Sequence, residues 1–386
     1  MEHILIIGGG GTGAALAHDL ALRGFKVSLF EKGELLSGTT GRHHGLLHSG
    51  ARYAVNDHET AAECIAENKI LRRITSDAIE PNDGLFVAID DSDLVYKKHF
   101  LQACGDCGIS TRELGSDIAI TIEPALSADV KLAIQVPDAV MDAWRLGLQF
   151  FASAKANSAK IQPYSQAVEI RTGSGCVSAV RIFDYQTQRE HDVQADLVVN
   201  AAGAWAGGIA DMVDIRIPVQ PAPGVMVAVN ARLTNMVVNR LHPAGQGDII
   251  VPQRNLSILG TSLWLADDPD MVEFPQDHIQ KMIELCAALV PAVKDTPVHS
   301  AWQAVRPLIG DAQKDHPQMI SRTFECYDHR VRDNLEGLVT IIGGKATTMR
   351  LMAEKTADLI CRKLGRNIPC KTRETKLLHY RKFFEI

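Results

Sequence analysis

The chain has no long apolar run, no strong charge of one sign and few aromatic residues, and each lack removes a class of protein. Its 386 residues carry 40 Lys and Arg against 46 Asp and Glu, a net charge of −6 spread along the chain. A nucleic-acid binder would show a basic stripe, so no nucleic-acid partner is expected. No stretch approaches the roughly 20 apolar residues needed to cross a bilayer. Met1-Glu2-His3 leads straight into Ile4-Leu5-Ile6-Ile7, too short and too acidic a start for a secretion signal. A cytoplasmic protein is expected. The eight cysteines are scattered without the spacing of a disulfide framework or a haem attachment site. Cys104-Gly-Asp-Cys107 lacks a second pair to complete a zinc or cluster site, so no metal is expected. What remains, 46% apolar and 22% charged, is an ordinary globular composition of two-domain size.

The informative residues begin at once. Ile4 to Ile7 is a continuous apolar strand, the pattern of a strand covered on both faces. Gly8-Gly9-Gly10-Gly11-Thr12-Gly13 follows, then a small-residue helix over 14–22 and a second strand over 27–30 ending at Glu31. Gly8, Gly10 and Gly13 fit G-x-G-x-x-G, and Glu31 falls 18 positions after the third glycine. In such a unit the glycines bring a pyrophosphate to the helix N-terminus, and the acid accepts hydrogen bonds from a ribose. A nicotinamide domain would continue promptly with another helix and strand. Here a Gly-, Thr- and His-rich loop runs over 33–53, which reads as a site rather than a linker.

Further along, periodicity predicts helices over 59–74, 93–104, 146–156, near 276–289 and over 349–364. Strands are expected over 84–89, 166–170, 177–183, 195–200 and 338–342. Two of these strands end in glycine-bearing turns: Ala201-Ala202-Gly203-Ala204-Trp205 and Gly343-Gly344-Lys345-Ala346-Thr347-Thr348. Ligands gather at the carboxyl ends of strands in open parallel sheets, and three such ends suit an extended cofactor such as FAD. The third opens a helix whose N-terminal amides, with Lys345, favour negative charge on a reduced flavin. The fold class expected is α/β. An FAD-binding Rossmann-like domain is assembled from residues 1–80, 139–212 and 335–370. A β-rich α+β substrate domain is inserted as 81–138 and 213–334, and a C-terminal tail covers 371–386.

These residues, with His44-Gly45-Leu46-Leu47-His48-Ser49-Gly50-Ala51-Arg52-Tyr53, Val305-Arg306-Pro307-Leu308, Ile320-Ser321-Arg322 and Arg350-Leu351-Met352-Ala353-Glu354, occur in a telling order. Together they resemble the FAD-dependent glycerol-3-phosphate dehydrogenases of the D-amino-acid-oxidase-like flavoproteins, and among them the anaerobic-type flavoprotein subunit. The chain ends at Ile386, so the resemblance is to that subunit without its cysteine-bearing C-terminal extension. The resemblance implies FAD contacts from Gly8, Gly10, Gly13, Glu31, Thr40, Gly45, Leu46 and Leu47. It puts the backbone of Val168 at the adenosine end with Gly203 and Trp205 nearby, and Gly344, Lys345, Ala346 and Thr347 against the isoalloxazine. Arg52, Tyr53, Arg306, Arg322 and Lys345 line the substrate side by the same likeness. Arginine suits that place because its planar fork binds phosphate or carboxylate through paired charged hydrogen bonds.

The implied reaction oxidises a secondary alcohol beside an anionic group, sn-glycerol 3-phosphate to dihydroxyacetone phosphate, by hydride transfer to flavin N5. Its catalytic group is His48, Arg306 and Lys345. His48 is a candidate proton acceptor, because imidazole titrates near neutrality, or a structural histidine bonded to backbone. Arginine is a poor base, so Arg306 is expected to orient the substrate, and the base stays unassigned. Two alternatives share the scaffold: a 2-hydroxyglutarate-like 2-hydroxyacid dehydrogenase or oxidase, and a catalytically silent flavin electron-transfer subunit. Several residues depart from the family pattern on the side expected to approach substrate: Pro223-Gly224-Val225, Trp302-Gln303-Ala304, Ala346 and Met349. With no second redox motif, electrons must pass to an external acceptor, a quinone or a partner redox subunit. The basic tail with interleaved apolar residues suits docking to a partner or peripherally to an anionic membrane surface, the inner face of the cell membrane.

Overall fold

A computed structural model describes residues 1–75, 77–243, 245, 247–310 and 323–386. The first strand, His3–Ile7, lies inside a six-stranded sheet of order 324–328, 338–343, 197–200, 3–7, 26–30, 160–162. All neighbours pair in parallel except Phe324–Asp328, which runs antiparallel to Leu338–Gly343 at the edge. The register sets Ile7 opposite both Phe30 and Asn200, and Asn200 opposite Thr340. The glycine-bearing turns therefore emerge side by side at one edge.

Both faces of this sheet are covered, which is why its strands read as unbroken apolar runs. On one face Ile4, Ile6, Leu29 and Val199 pack against Leu16 and Leu20 of the helix Gly11–Leu22. Phe150 of Ala143–Ala156 and Ile360 of Met349–Lys363 close the same layer. On the other, Leu5, Ile7 and Val198 meet Ile170, Val180 and Ile182 of a three-stranded antiparallel sheet.

The second large sheet has eight strands in the order 298–309, 219–229, 256–259, 249–253, 237–240, 84–88, 132–136, 112–115. The segments expected over 81–138 and 213–334 meet in it. One part differs: Phe324–Asp328, read with the substrate unit, joins the cofactor sheet, because its backbone completes the edge left by Leu338–Gly343. Between the sheets, Leu46–Leu47 pairs with Ala139–Met141, pinning the long loop that follows Glu31.

The C-terminal segment is seated on the molecule. Leu377 is buried and its N–H donates to the Ile74 carbonyl at 2.9 Å. The Leu378 N–H donates to Ser153 Oγ at 2.9 Å, and Lys155 Nζ to the Phe383 carbonyl at 2.8 Å. Part of the apolar content that suggested external docking is thus used internally; Phe384 and Ile386 stay exposed. Among the described residues no helix is long and apolar enough to cross a membrane.

Candidate active site

A cavity of about 1010 Å³ runs along the carboxyl edge of the cofactor sheet into the gap before the second sheet. At one end it is bounded by Gly8, Gly10, Gly11, Phe30, Glu31, Gly203 and Trp205, at the other by His44, His48, Arg52, Tyr53, Arg306 and the 343–347 turn.

The first end is made of backbone. Gly8 turns with φ +111°, and a Cβ there would sit 2.6 Å from the Ala201 carbonyl oxygen. Gly13 lies outside the cavity and serves packing: its Cβ would fall 2.0 Å from the Gly8 carbonyl oxygen, so only glycine lets helix and strand approach. Gly10 faces the open cradle, where, among the described residues beyond its chain neighbours, a Cβ would meet only Thr40 Oγ1 within 4 Å. Thr40 Oγ1 accepts the Gly11 N–H at 2.9 Å, fixing the loop over the helix N-terminus. Glu31 accepts the N–H groups of Gly9 at 2.7 Å and Gly33 at 2.9 Å, one on each oxygen. A carboxylate has lone pairs beyond these bonds, so a ribose diol can still be held. Trp205 Nε1 donates to Asp270 at 2.8 Å, with Lys32 over the indole. Along the flanking strand Ser165, Gln166 and Ala167 line the cavity and Val168 does not; its side chain is exposed.

The loop after Glu31 also differs in detail from expectation. Leu46 lines the cavity, while Leu47 is fully buried in the core below it. Gly45 faces away, against Gln253 and the Met141 carbonyl. In His43 and His44 the Nδ1 accepts a backbone N–H, from Gly45 at 2.8 Å and Leu46 at 3.1 Å. Burial lowers His43 to about 4. Burial, then the charges of His48, His43, Arg306 and Arg52, holds His44 well below the ordinary range. Both are neutral at pH 7 with Nδ1 already occupied as an acceptor, which puts the proton on Nε2 and leaves neither ring a free basic nitrogen.

At the far end four distant segments converge. The His48 N–H donates to Thr347 Oγ1 at 3.1 Å, and its Nε2 lies 3.5 Å from the Tyr53 hydroxyl. Lys345 Nζ stands 5.2 Å over the Tyr53 ring. Arg306 donates to Thr261 Oγ1 at 2.6 Å and reaches the Ser262 carbonyl at 3.4 Å. Arg52 donates to Asp248 at 2.7 Å, a carboxylate no sequence pattern announced. Gly344, Ala346 and Thr347 line this end. Arg322 lies outside the described residues.

The departures sort by position. Gln303, Ala346 and Met349 line the cavity. Trp302 instead donates its Nε1 to the Arg42 carbonyl at 2.6 Å, tying down the cofactor loop. Val225 and Ala304 are buried within the second sheet, and Pro223 pairs with Val305.

An extended cavity with a nucleotide cradle at one end and cations at the other has the form of a dinucleotide redox site. The family model for FAD-dependent oxidoreductases matches residues 3–359. This chain belongs to that family. It is 43% identical over 390 residues to one subunit of the anaerobic glycerol-3-phosphate dehydrogenase of Haloferax volcanii, covering 97% of this chain and 66% of that protein. It is 39% identical over 376 residues to one subunit of the anaerobic glycerol-3-phosphate dehydrogenase of Haemophilus influenzae, covering 97% and 67%. The chain thus spans about two thirds of the length of these curated relatives. The FAD-complexed glycerol-3-phosphate dehydrogenase of Bacillus halodurans shares the fold, with a TM-score of 0.75 at 24% identity over 98% of this chain and 68% of that one. The resemblance drawn from the sequence and the FAD-binding fold are borne out. The glycine cradle, the remaining lone pairs of Glu31 and the length of the cavity fit FAD.

Proposed function

We propose that this FAD-dependent oxidoreductase oxidises the secondary alcohol of a small anion, sn-glycerol 3-phosphate before others. The observation that carries the reading is the convergence of His48, Tyr53, Arg306 and Lys345 on the end of the cavity away from the nucleotide cradle. Bound FAD supplies the two-electron acceptor for the carbinol carbon. Arg306, held by neutral oxygens of Thr261 and Ser262, binds the anion, assisted by Arg52 and, as the family likeness implies, Arg322. His48 takes the hydroxyl proton on Nε2, with Tyr53 orienting it, because His43 and His44 are fixed as donors. Lys345 adds positive charge at the helix entry facing the cofactor. The flavin unit then comprises 1–80, 139–212 and 324–370, with the second sheet as substrate unit.

The 2-hydroxyacid reading is favoured by one observation: Asp248 offsets the charge of Arg52, which suits a carboxylate better than a phosphate dianion. Electrons leave to a partner subunit or a quinone, and the naming of the relatives as subunits of a larger enzyme supports this. Exposed Phe384 and Ile386 support a peripheral membrane contact. Anaerobic bleaching of the flavin by a panel of phosphorylated polyols and 2-hydroxyacids tests the assignment. Fast bleaching by glycerol 3-phosphate supports it. Bleaching only by a hydroxyacid shifts it to the second reading, and none at all points to a silent electron-transfer protein.

A further inference from the structure

The end of the cavity that carries the nucleotide cradle is not built by the cofactor sheet alone. Pro269 and Asp270, from the chain between strands 256–259 and 298–309 of the second sheet, also line it. The segment that bears them is fastened to that sheet on both sides. The Ala266 N–H donates to the Pro221 carbonyl at 3.0 Å, and Gln220 Nε2 donates to the Ala266 carbonyl at 2.7 Å. Beyond Asp270, Gln303 Nε2 donates to the Val272 carbonyl at 3.1 Å. The Asp270 N–H donates to Asp268 Oδ1 at 2.8 Å, which fixes the turn that presents its carboxylate.

That carboxylate reaches the cofactor sheet at two places. Its Oδ1 accepts the Trp205 indole N–H at 2.8 Å, and its Oδ2 lies 3.8 Å from Lys32 Nζ. Lys32 Nζ in turn stands 4.7 Å from the centre of the Trp205 ring. The strand order shows what these contacts span. Trp205 follows strand 197–200 and Lys32 follows strand 26–30, and between those two runs strand 3–7, which leads into Gly8 and Gly10. Lys32, Trp205 and Asp270 all line the cavity, so they bridge across the glycine turn on its open side. One of the three comes from the other sheet. We propose that Asp270 is a cofactor-retaining residue: its hydrogen bond from Trp205 clasps the second sheet across the nucleotide cradle, and this clasp must open before FAD leaves.

The two contacts of Asp270 are unequal. Its ion pair with Lys32 joins side chains that are 62% and 48% exposed, and exposed pairs of this kind contribute little. The bond from Trp205 is short, directional and made to a charged acceptor. Its donor is also held in place: the indole packs on the loop after Glu31, where a Cβ at Gly38 would lie 3.4 Å from the ring. Retention is therefore assigned to the hydrogen bond rather than to the charge. An amide oxygen at position 270 would accept the same N–H, whereas a methyl group would not.

FAD is the only ligand involved, so the test is independent of the substrate assigned above. Release of FAD from the holoprotein after high dilution is followed by the rise in free-flavin fluorescence. Asp270→Ala and Trp205→Phe should each speed release roughly three- to tenfold, the worth of one hydrogen bond. The double variant should be no faster than the faster single one, since both changes remove the same bond. Asp270→Asn should release FAD at the wild-type rate. The Asp270 side chain is exposed, so its replacement leaves the fold intact, and the FAD content before dilution checks that each variant still forms the cradle. Wild-type release in Asp270→Ala, effects that multiply in the double variant, or release from Asp270→Asn as fast as from Asp270→Ala would overturn the inference.

Discussion

At the end of the cavity bounded by Gly8, Gly10 and Glu31 the cradle itself comes from one continuous strand–helix–strand unit, with Gly203, Trp205 and 165–167 added at its sides. At the end bounded by His48, Arg52, Arg306 and Lys345 the walls are side chains from segments hundreds of residues apart. The first end recognises groups shared by every nucleotide cofactor, so close backbone approach is the requirement and glycine meets it. The second must recognise one small anion and move one proton, which takes charged forks and an imidazole in fixed positions. One end tolerates almost no added volume, whereas the other tolerates replacement of residues as long as charge and direction are kept.

The sharpest break between the two ends is Gly10→Val. It places a branched side chain in the cradle and should abolish FAD retention, read as loss of visible absorbance in the purified protein. Thermal unfolding of the apoprotein should barely move, since among the described residues beyond its chain neighbours a Cβ at Gly10 meets only Thr40 Oγ1 within 4 Å. Next come two changes at the other end, which should leave FAD content normal. His48→Asn should lower kcat by roughly 10²–10⁴, the usual worth of a positioned base, with KM little altered. Arg306→Ala should act mainly on KM, costing roughly 2–5 kcal/mol in transition-state binding if it leaves a desolvated anion unpaired. Steady-state kinetics with a dye acceptor separate them, and the same split in both variants would mean that base and anion roles are not divided this way.

A smaller effect concerns what supports the cradle. His18, on the helix that begins at Gly11, is buried with neither ring nitrogen hydrogen-bonded, and burial lowers it to about 4. The unfolded chain then binds the extra proton, so stability is full above about 6.5 and declines as pH falls towards 4. The loss reaches on the order of 3 kcal/mol at the low end. Unfolding temperature measured against pH should show this slope, and His18→Leu should flatten it. An unchanged slope in the variant would place the acid sensitivity elsewhere.

The nucleotide end was legible in the residue order because its recognition is local: Ile4 to Glu31 hold strand, glycines, helix and acid within one span of chain. The three glycine-bearing strand ends were legible for the same reason, and the register of Ile7, Asn200 and Thr340 brings them together. The family likeness added Arg52, Tyr53, Arg306 and Lys345, which the fold collects in one cavity. It also placed Val168, Gly45 and Leu47 at the cofactor. There a break in the strand register at Val168 leaves the preceding residues Ser165, Gln166 and Ala167 along the cavity, and the loop turns Leu46 inward instead.

Sequence by itself determined the cofactor class and the cradle, since both depend on residues a few positions apart whose backbone geometry is dictated by glycine and periodicity. Only the tertiary structure decided the electrostatics of the anion end. Asp248 lies 196 positions from Arg52, and nothing local marks it as a partner. Trp302 looked like a substrate residue and instead holds the loop at Arg42, because pairing of 219–229 with 298–309 turns it that way. Leu377 and Phe383 looked available for a partner and are spent on the molecule's own helix Ala143–Ala156 and its neighbours. Charge and apolar area are non-local quantities, and their use is settled by what folding brings beside them.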